Sequence, residues 1–356
     1  MKSNVQTKSA PQPGLVDEPA SSKGVFELVQ DLGLLAVIVM ACILLSLASP
    51  VFFTRINLEN LLFSSTIIAV VAIGQAFVVM VAGIDLSVGA VLALSSVLSV
   101  GLAVNQGLPV WLSVLIALGC GAAVGLINGL AVTRLKIPAL IATLAMMSIA
   151  RGIAFIYSGG RNIAPIPEVF SNIQAARVFG IPVVIVCTIV FAIIAQFVLS
   201  RTTFGRSIYA VGGNPVAARL SGIRSDRIII SAYLISGICA AIGGLMISAR
   251  LEAGAATAGI GLELTVISAV VIGGVSLFGG EGNFGAVMLG VILLGIVQNA
   301  INLLNVPPNY DYVVSGLVIA AAASLDVFRR NIAEAGLRRR SAQVKKEQAE
   351  SAPKPT

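Results

Sequence analysis

Apolar runs of 18 residues or more recur along nearly the whole of this chain of 356 residues, each long enough to cross a hydrocarbon core of about 30 Å. Only 11% of the residues are charged and 57% are hydrophobic, with a mean hydropathy of +0.98. A soluble domain carries roughly a quarter charged residues, so most of this chain does not face water. The expected fold class is therefore all-α, a polytopic membrane protein.

Ten spans can be laid down, near 32–53, 58–81, 86–105, 109–132, 138–157, 182–200, 227–249, 263–276, 284–305 and 311–328. Pro109, Pro138, Pro182 and the Pro307-Pro308 pair punctuate them, because proline removes a backbone donor and favours turns. Ten crossings place both termini on one side. With the N-terminus inside, 18 of the 23 basic residues fall inside, and only Arg55, Arg161, Arg177 and Arg250 fall outside. That asymmetry predicts cytoplasmic termini. The polar, Pro- and Ser-rich residues 1–30 lack the early apolar core of a signal peptide and read as a disordered cytoplasmic leader. Residues 31–330 form the membrane domain, and 331–356 read as a basic disordered tail.

Several function classes drop out. The chain has no histidine, which excludes imidazole metal sites and Ser-His-Asp triads. Cys42, Cys120, Cys187 and Cys239 are scattered among apolar spans and read as small core residues, so no metal and no cofactor is expected. The net charge of +7 follows the membrane sidedness and does not point to nucleic acid. Glycines cluster in segments such as "LGCGAAVGLINGLAV", where small residues let helices approach closely. Nothing resembles an Arg-repeat voltage sensor or a carbonyl selectivity filter.

The longest polar segment between spans, "SRTTFGRSIYAVGGNPVAARLSGIRSDR" (200–227), lies on the inner side of this map. Asn214 followed by Pro215 is an N-cap with proline at the first helical position, and Gly222 sits where a left-handed C′ residue is expected. Two short helices across a Gly212-Gly213 turn are predicted, with Ala210, Ala217 and Ala218 forming a small face between basic flanks. Such a pair suits a membrane subunit that another protein drives from the cytoplasm. The chain itself has no phosphate-binding loop of the G-x-x-x-x-G-K-[ST] type. A lipid-anchored basic loop is the competing reading.

Asp85 interrupts an otherwise apolar run, "VVMVAGIDLSVGAVLAL" (78–94), although a charge at bilayer depth costs about 3 kcal/mol or more. With Ser87 it forms a helix-start pair able to accept orphan backbone N–H groups. Gly83, Asp85, Ser87 and Gly89 thus mark a break near 83–89. Non-helical backbone at this depth is tolerated where it borders a cavity, so the break also reads as lining a solute route. A second break, "SLFGGEGNFGA" (276–286), contains Gly279 and Glu281. Further polar groups within spans are Gln75, Asn128, Arg151, Gln298, Asn299 and Asn302. Asn128, Arg151 and Asn299 join the candidates for the route, and Arg151 demands a partner.

Three segments, "AGIDLSVGAVLAL" (82–94), "GRSIYAVGGNPVAARLSGI" (205–223) and "VIGGVSLFGGEGNFGAVMLG" (271–290), resemble signature segments of the ribose/monosaccharide-type ABC importer permeases. The likeness covers about residues 30–330. It implies a translocation pathway for a ribose-like pentose, a hexose or a polyol in a bacterial inner membrane. It also implies an extracytoplasmic sugar-binding protein, a cytoplasmic ATP-binding subunit, and a second permease copy or paralogue. On this likeness the second segment, with Gly205, Arg206, Gly212, Asn214, Pro215, Ala217, Ala218 and Gly222, is the loop that couples to the ATPase. The other classes weighed are an ion-coupled secondary transporter, which needs intramembrane acids that the spans mostly lack, and an intramembrane enzyme, for which no nucleophile–base pair is evident.

Overall fold

The structure is a computed structural model that describes residues 21–307 and scattered positions up to 324, with side chains from residue 32. Its helices are α1 (Ser21–Ala48), α2 (Arg55–Met80), α3 (Val88–Val104), α4 (Val110–Thr133), α5 (Ala139–Ser158) and α6 (Glu168–Ala175). A two-stranded ladder, β1 (Arg177–Val178) and β2 (Ile181–Pro182), leads into α7 (Val183–Arg201). Then follow α8 (Thr203–Gly213), α9 (Pro215–Leu220), α10 (Ser225–Leu251), α11 (Leu262–Ile272) and α12 (Phe284–Leu303).

Among the described residues, six helices are long and apolar enough to cross a membrane: α2, α4, α5, α7, α10 and α12. Pro109, Pro138 and Pro182 stand as the N-caps of α4, α5 and α7. Large apolar side chains stay exposed on the outer helices, Leu47 at 80% and Ile156 at 83%. In a polytopic membrane protein that surface faces lipid.

The interior is built on α2 and α10. Every residue of α2 from Ser65 to Met80 is buried, as expected of a helix apolar on all sides. Its neighbour α10 crosses α4 along a stripe of glycines. A methyl group placed on Gly121 would stand 2.5 Å from the Gly237 carbonyl oxygen, and one on Gly125 would stand 2.3 Å from that of Tyr233. At Gly129 it would be 2.8 Å from the Ile230 Cα. Glycines spaced by four residues thus let two backbones touch, the packing mode that membrane helices favour.

Two boundaries differ from the sequence reading. Helix α1 begins at Ser21, inside the stretch read as a disordered leader; residues 1–20 and the basic tail lie outside the described residues. The eighth span, placed at 263–276, is not one continuous helix. α11 has 11 residues, about 16 Å of helix, which is about half a hydrocarbon core. A run of turns, residues 252–261, precedes it and passes along α3, with Glu252, Gly259 and Gly261 at positive φ. Gly254 exchanges two 2.9 Å backbone hydrogen bonds with Ile163. The Ala255 N–H donates to Ser96 Oγ (3.2 Å), which also accepts from Ser248 Oγ (2.7 Å). Apolar Ala/Gly composition does not distinguish such a segment from helix, because its backbone finds partners in Ile163, in Ser96 of α3 and in its own turns. The tenth span falls largely outside the described residues.

Candidate functional site

Asp85 sits in the turn between α2 and α3, and it is 1% exposed. One carboxyl oxygen accepts the Ser87 N–H (2.9 Å) and the Ser87 hydroxyl (2.6 Å), and the other accepts the Ser236 hydroxyl of α10 (2.9 Å). Asn128 of α4 donates its amide N–H to Ser87 Oγ (3.0 Å). The backbone of the turn is held equally firmly. With its amide oriented as this network requires, Gln75 of α2 donates to the Asp85 carbonyl (3.1 Å) and accepts its N–H (3.2 Å). The Ile84 carbonyl accepts from Thr143 of α5 and Tyr233 of α10, both at 3.3 Å.

Three helices, α2, α5 and α10, therefore satisfy Ile84 and Asp85, which cannot bond within a helix, and α4 reaches the same node through Ser87. Among the described residues the ion pairs are Arg55–Glu59 (2.8 Å) and Arg177–Glu59 (2.9 Å), so the carboxyl of Asp85 is met by hydroxyls and an N–H, not by a cation. Buried polar networks specify one arrangement when every member is satisfied. The node is closed to the surface, with Asp85, Ser87, Asn128 and Ser236 all buried.

Gly83 and Gly89 belong to the same cluster. A methyl on Gly83 would stand 2.8 Å from the Tyr233 hydroxyl, and one on Gly89 would stand 2.3 Å from the Gly259 carbonyl oxygen. The remaining candidates lie elsewhere. Arg151 finds its partners in the turns before α11, donating to the carbonyls of Ala256 (2.7 Å) and Ala258 (2.6 Å). Asn299 exchanges two side-chain hydrogen bonds with Asn57, at 2.7 and 3.1 Å, near the start of α2. Glu281 is exposed, in a loop where Gly279 has φ +82°. The polar residues are thus not one lining. Thr143, Tyr233 and Ser236 were missed at the sequence level. Ser236 lies 151 residues from Asp85, and the packing of α10 against α2 and α3 joins them.

The loop 201–226 folds as two helices. Thr202 caps α8 through Gly205 N–H (3.2 Å). Asn214 caps α9, its Oδ1 accepting the N–H groups of Val216 and Ala217, both at 3.0 Å, with Pro215 at the first helical position. Gly222 ends α9 at φ +85°. Ile223 N–H returns to the Ala218 carbonyl and Gly222 N–H to that of Arg219, both at 3.0 Å; this is a Schellman closure.

Two details correct the expectation. Gly212 and Gly213 lie within α8 and neither has a positive φ; the helices join at Asn214, with φ −158° and ψ 99°. Gly205, Gly212 and Ala218 face inward, and Ala218 is 4% exposed. Ala217 therefore does not share a face with it. The outward face consists of Val216, Ala217 and Leu220, the last 86% exposed, and Arg206, Arg219 and Arg224 of the same loop are exposed too. A helix of six residues is too short for sequence periodicity to tell its faces apart.

Residues 57–323 match the family described as branched-chain amino acid transport system / permease component. The ribose import permease protein of Haemophilus influenzae is 38% identical over 304 residues, 84% of this chain and 93% of its own length. The L-arabinose ABC transporter permease protein of Azospirillum brasilense is 38% identical over 325 residues, covering 91% of this chain and 96% of its own length. The L-arabinose transport system permease protein of Escherichia coli is 39% identical over 312 residues, 88% and 95% of the two chains. No solved structure matches. ABC importer permeases work with an ATPase and a binding protein. The chain belongs to this family of transport-system permease components: it is a polytopic membrane subunit of an ABC importer, and not an enzyme.

Proposed function

We propose that the chain forms the translocation pathway for a monosaccharide, a pentose of the ribose or arabinose kind first among candidates, in the inner membrane of a bacterium. The chain crosses the membrane ten times, with both termini in the cytoplasm. Two permease chains assemble around the route, receive sugar from an extracytoplasmic binding protein, and dock a cytoplasmic ATPase on α9. The turn at Gly83, Asp85, Ser87 and Gly89 borders the route and holds it shut until the subunit is driven. Near full-length likeness to ribose and L-arabinose permeases supports the substrate class. The inner bias of Lys and Arg supports the orientation.

The observation that carries the docking reading is the apolar face Val216, Ala217 and Leu220, exposed on a well-capped short helix in a loop that also exposes Arg206, Arg219 and Arg224. Small, rigid apolar anchors within a polar rim are what partner proteins bind. Cells carrying the full importer are expected to take up labelled ribose or L-arabinose but not leucine, the amino-acid class named by the family description. Ala217→Glu and Leu220→Glu should abolish that uptake and the co-purification of the ATPase while the permease stays inserted. Arg224→Gln should keep uptake within about twofold, since single exposed charges contribute little. The reverse order, arginine critical and α9 face indifferent, identifies the loop as a lipid anchor; uptake of leucine alone refutes the sugar reading.

A further inference from the structure

The two membrane breaks and the docking loop meet at one place, and they meet backbone to backbone. The Gly280 N–H donates to the Met80 carbonyl at the end of α2 (2.9 Å). A methyl group on Gly212, near the end of α8, would stand 1.8 Å from that same Met80 oxygen and 2.5 Å from the Gly280 nitrogen. On Gly279 it would stand 2.8 Å from the Ala82 nitrogen and 3.0 Å from the Gly212 oxygen. No side chain fits between the three strands of backbone. Gly279 and Gly280 also hold φ near +80°, a conformation that glycine adopts without cost.

A side chain also ties the joint. Tyr209 of α8 donates its hydroxyl to the Gly282 carbonyl (2.6 Å). Nearby, Gln196 of α7 accepts the first N–H of α12, from Phe284 (2.9 Å). Met80 stands five residues before Asp85 in the chain, so a displacement of α8 reaches the Asp85 lock through one short turn.

Resting on the docking reading above, we propose that this glycine joint carries movement of the docked loop to both breaks, with Tyr209 as its positioning residue. Close-packed contacts without intervening side chains are stiff, and they transmit small shifts instead of absorbing them. Gly213 provides an internal contrast: a methyl there meets nothing within 4 Å.

The test uses the assembled importer in vesicles and measures three quantities: ATPase bound, ATP hydrolysed, and ribose or L-arabinose imported per ATP. Tyr209→Phe should retain the ATPase and lower sugar imported per ATP by about fivefold, the loss that one neutral hydrogen bond carries. Gly212→Ala should lower it further, and Gly213→Ala should match the parent. Tyr209→Phe with unchanged sugar per ATP overturns the joint, as does a Gly213→Ala loss equal to that of Gly212→Ala. A parent permease that binds no ATPase overturns the docking reading beneath it, and the joint with it.

Discussion

Asp85→Leu should remove most of the permease from the membrane, whereas Asp85→Asn should leave it inserted and largely functional. Leucine withdraws the acceptor from the Ser87 N–H and from the hydroxyls of Ser87 and Ser236, all of them buried. Each buried donor left unsatisfied costs about 1 to 3 kcal/mol, against a total stability of roughly 5 to 15 kcal/mol. The loss extends to Asn128, whose partner Ser87 Oγ would no longer be oriented. Asparagine keeps an oxygen for the Ser87 donors, and the Ser236 hydroxyl can turn to accept from its amide. The loss should then be about 1 kcal/mol. Quantified membrane insertion and the thermal midpoint in detergent read this out. A leucine variant with parental yield and midpoint would show that the node is dispensable.

The glycine seam predicts an effect of similar size. Gly125→Val places a side chain whose first carbon already lies 2.3 Å from the Tyr233 carbonyl oxygen. Backbone stands in the way, so α4 and α10 must separate. Overpacking a tight core costs about 1 to 3 kcal/mol even where side chains can yield, and here they cannot. The separation would also pull Asn128, three residues further along α4, away from Ser87. Gly119 lies in the same helix, yet a methyl there meets nothing within 4 Å. Gly119→Val should shift the midpoint by no more than the equivalent of about 0.5 kcal/mol. Equal stability of the two variants would contradict the seam.

Much of the architecture is visible in the sequence because its causes are local. Apolar runs demand burial in lipid or protein, Pro109, Pro138 and Pro182 set helix starts, and Asn214, Pro215 and Gly222 punctuate α9 through bonds that span only a few residues. What escapes is whatever depends on distant partners. The carboxyl of Asp85 is legible as a helix-start acceptor, but Ser236, Tyr233 and Thr143 come to it only through tertiary crossings. The run of turns before α11 resembles helix in composition, and Arg151 and Ser96 supply the partners that let it be otherwise. Gly212 was expected to serve a turn; its small size serves contact with Met80 instead. Spacing reports which residues are small or apolar, and it leaves open which neighbour needs them so.

The central claim is that an external ATPase drives sugar through this chain. The direct measurement is sugar accumulation in proteoliposomes holding the permease, its co-purified ATPase and the binding protein, with ATP on the cytoplasmic face. Ribose or L-arabinose should accumulate only with hydrolysable ATP and the ATPase present, and collapse of proton and sodium gradients should leave the rate unchanged. Accumulation by the permease alone under an ion gradient would contradict the account and identify a secondary transporter.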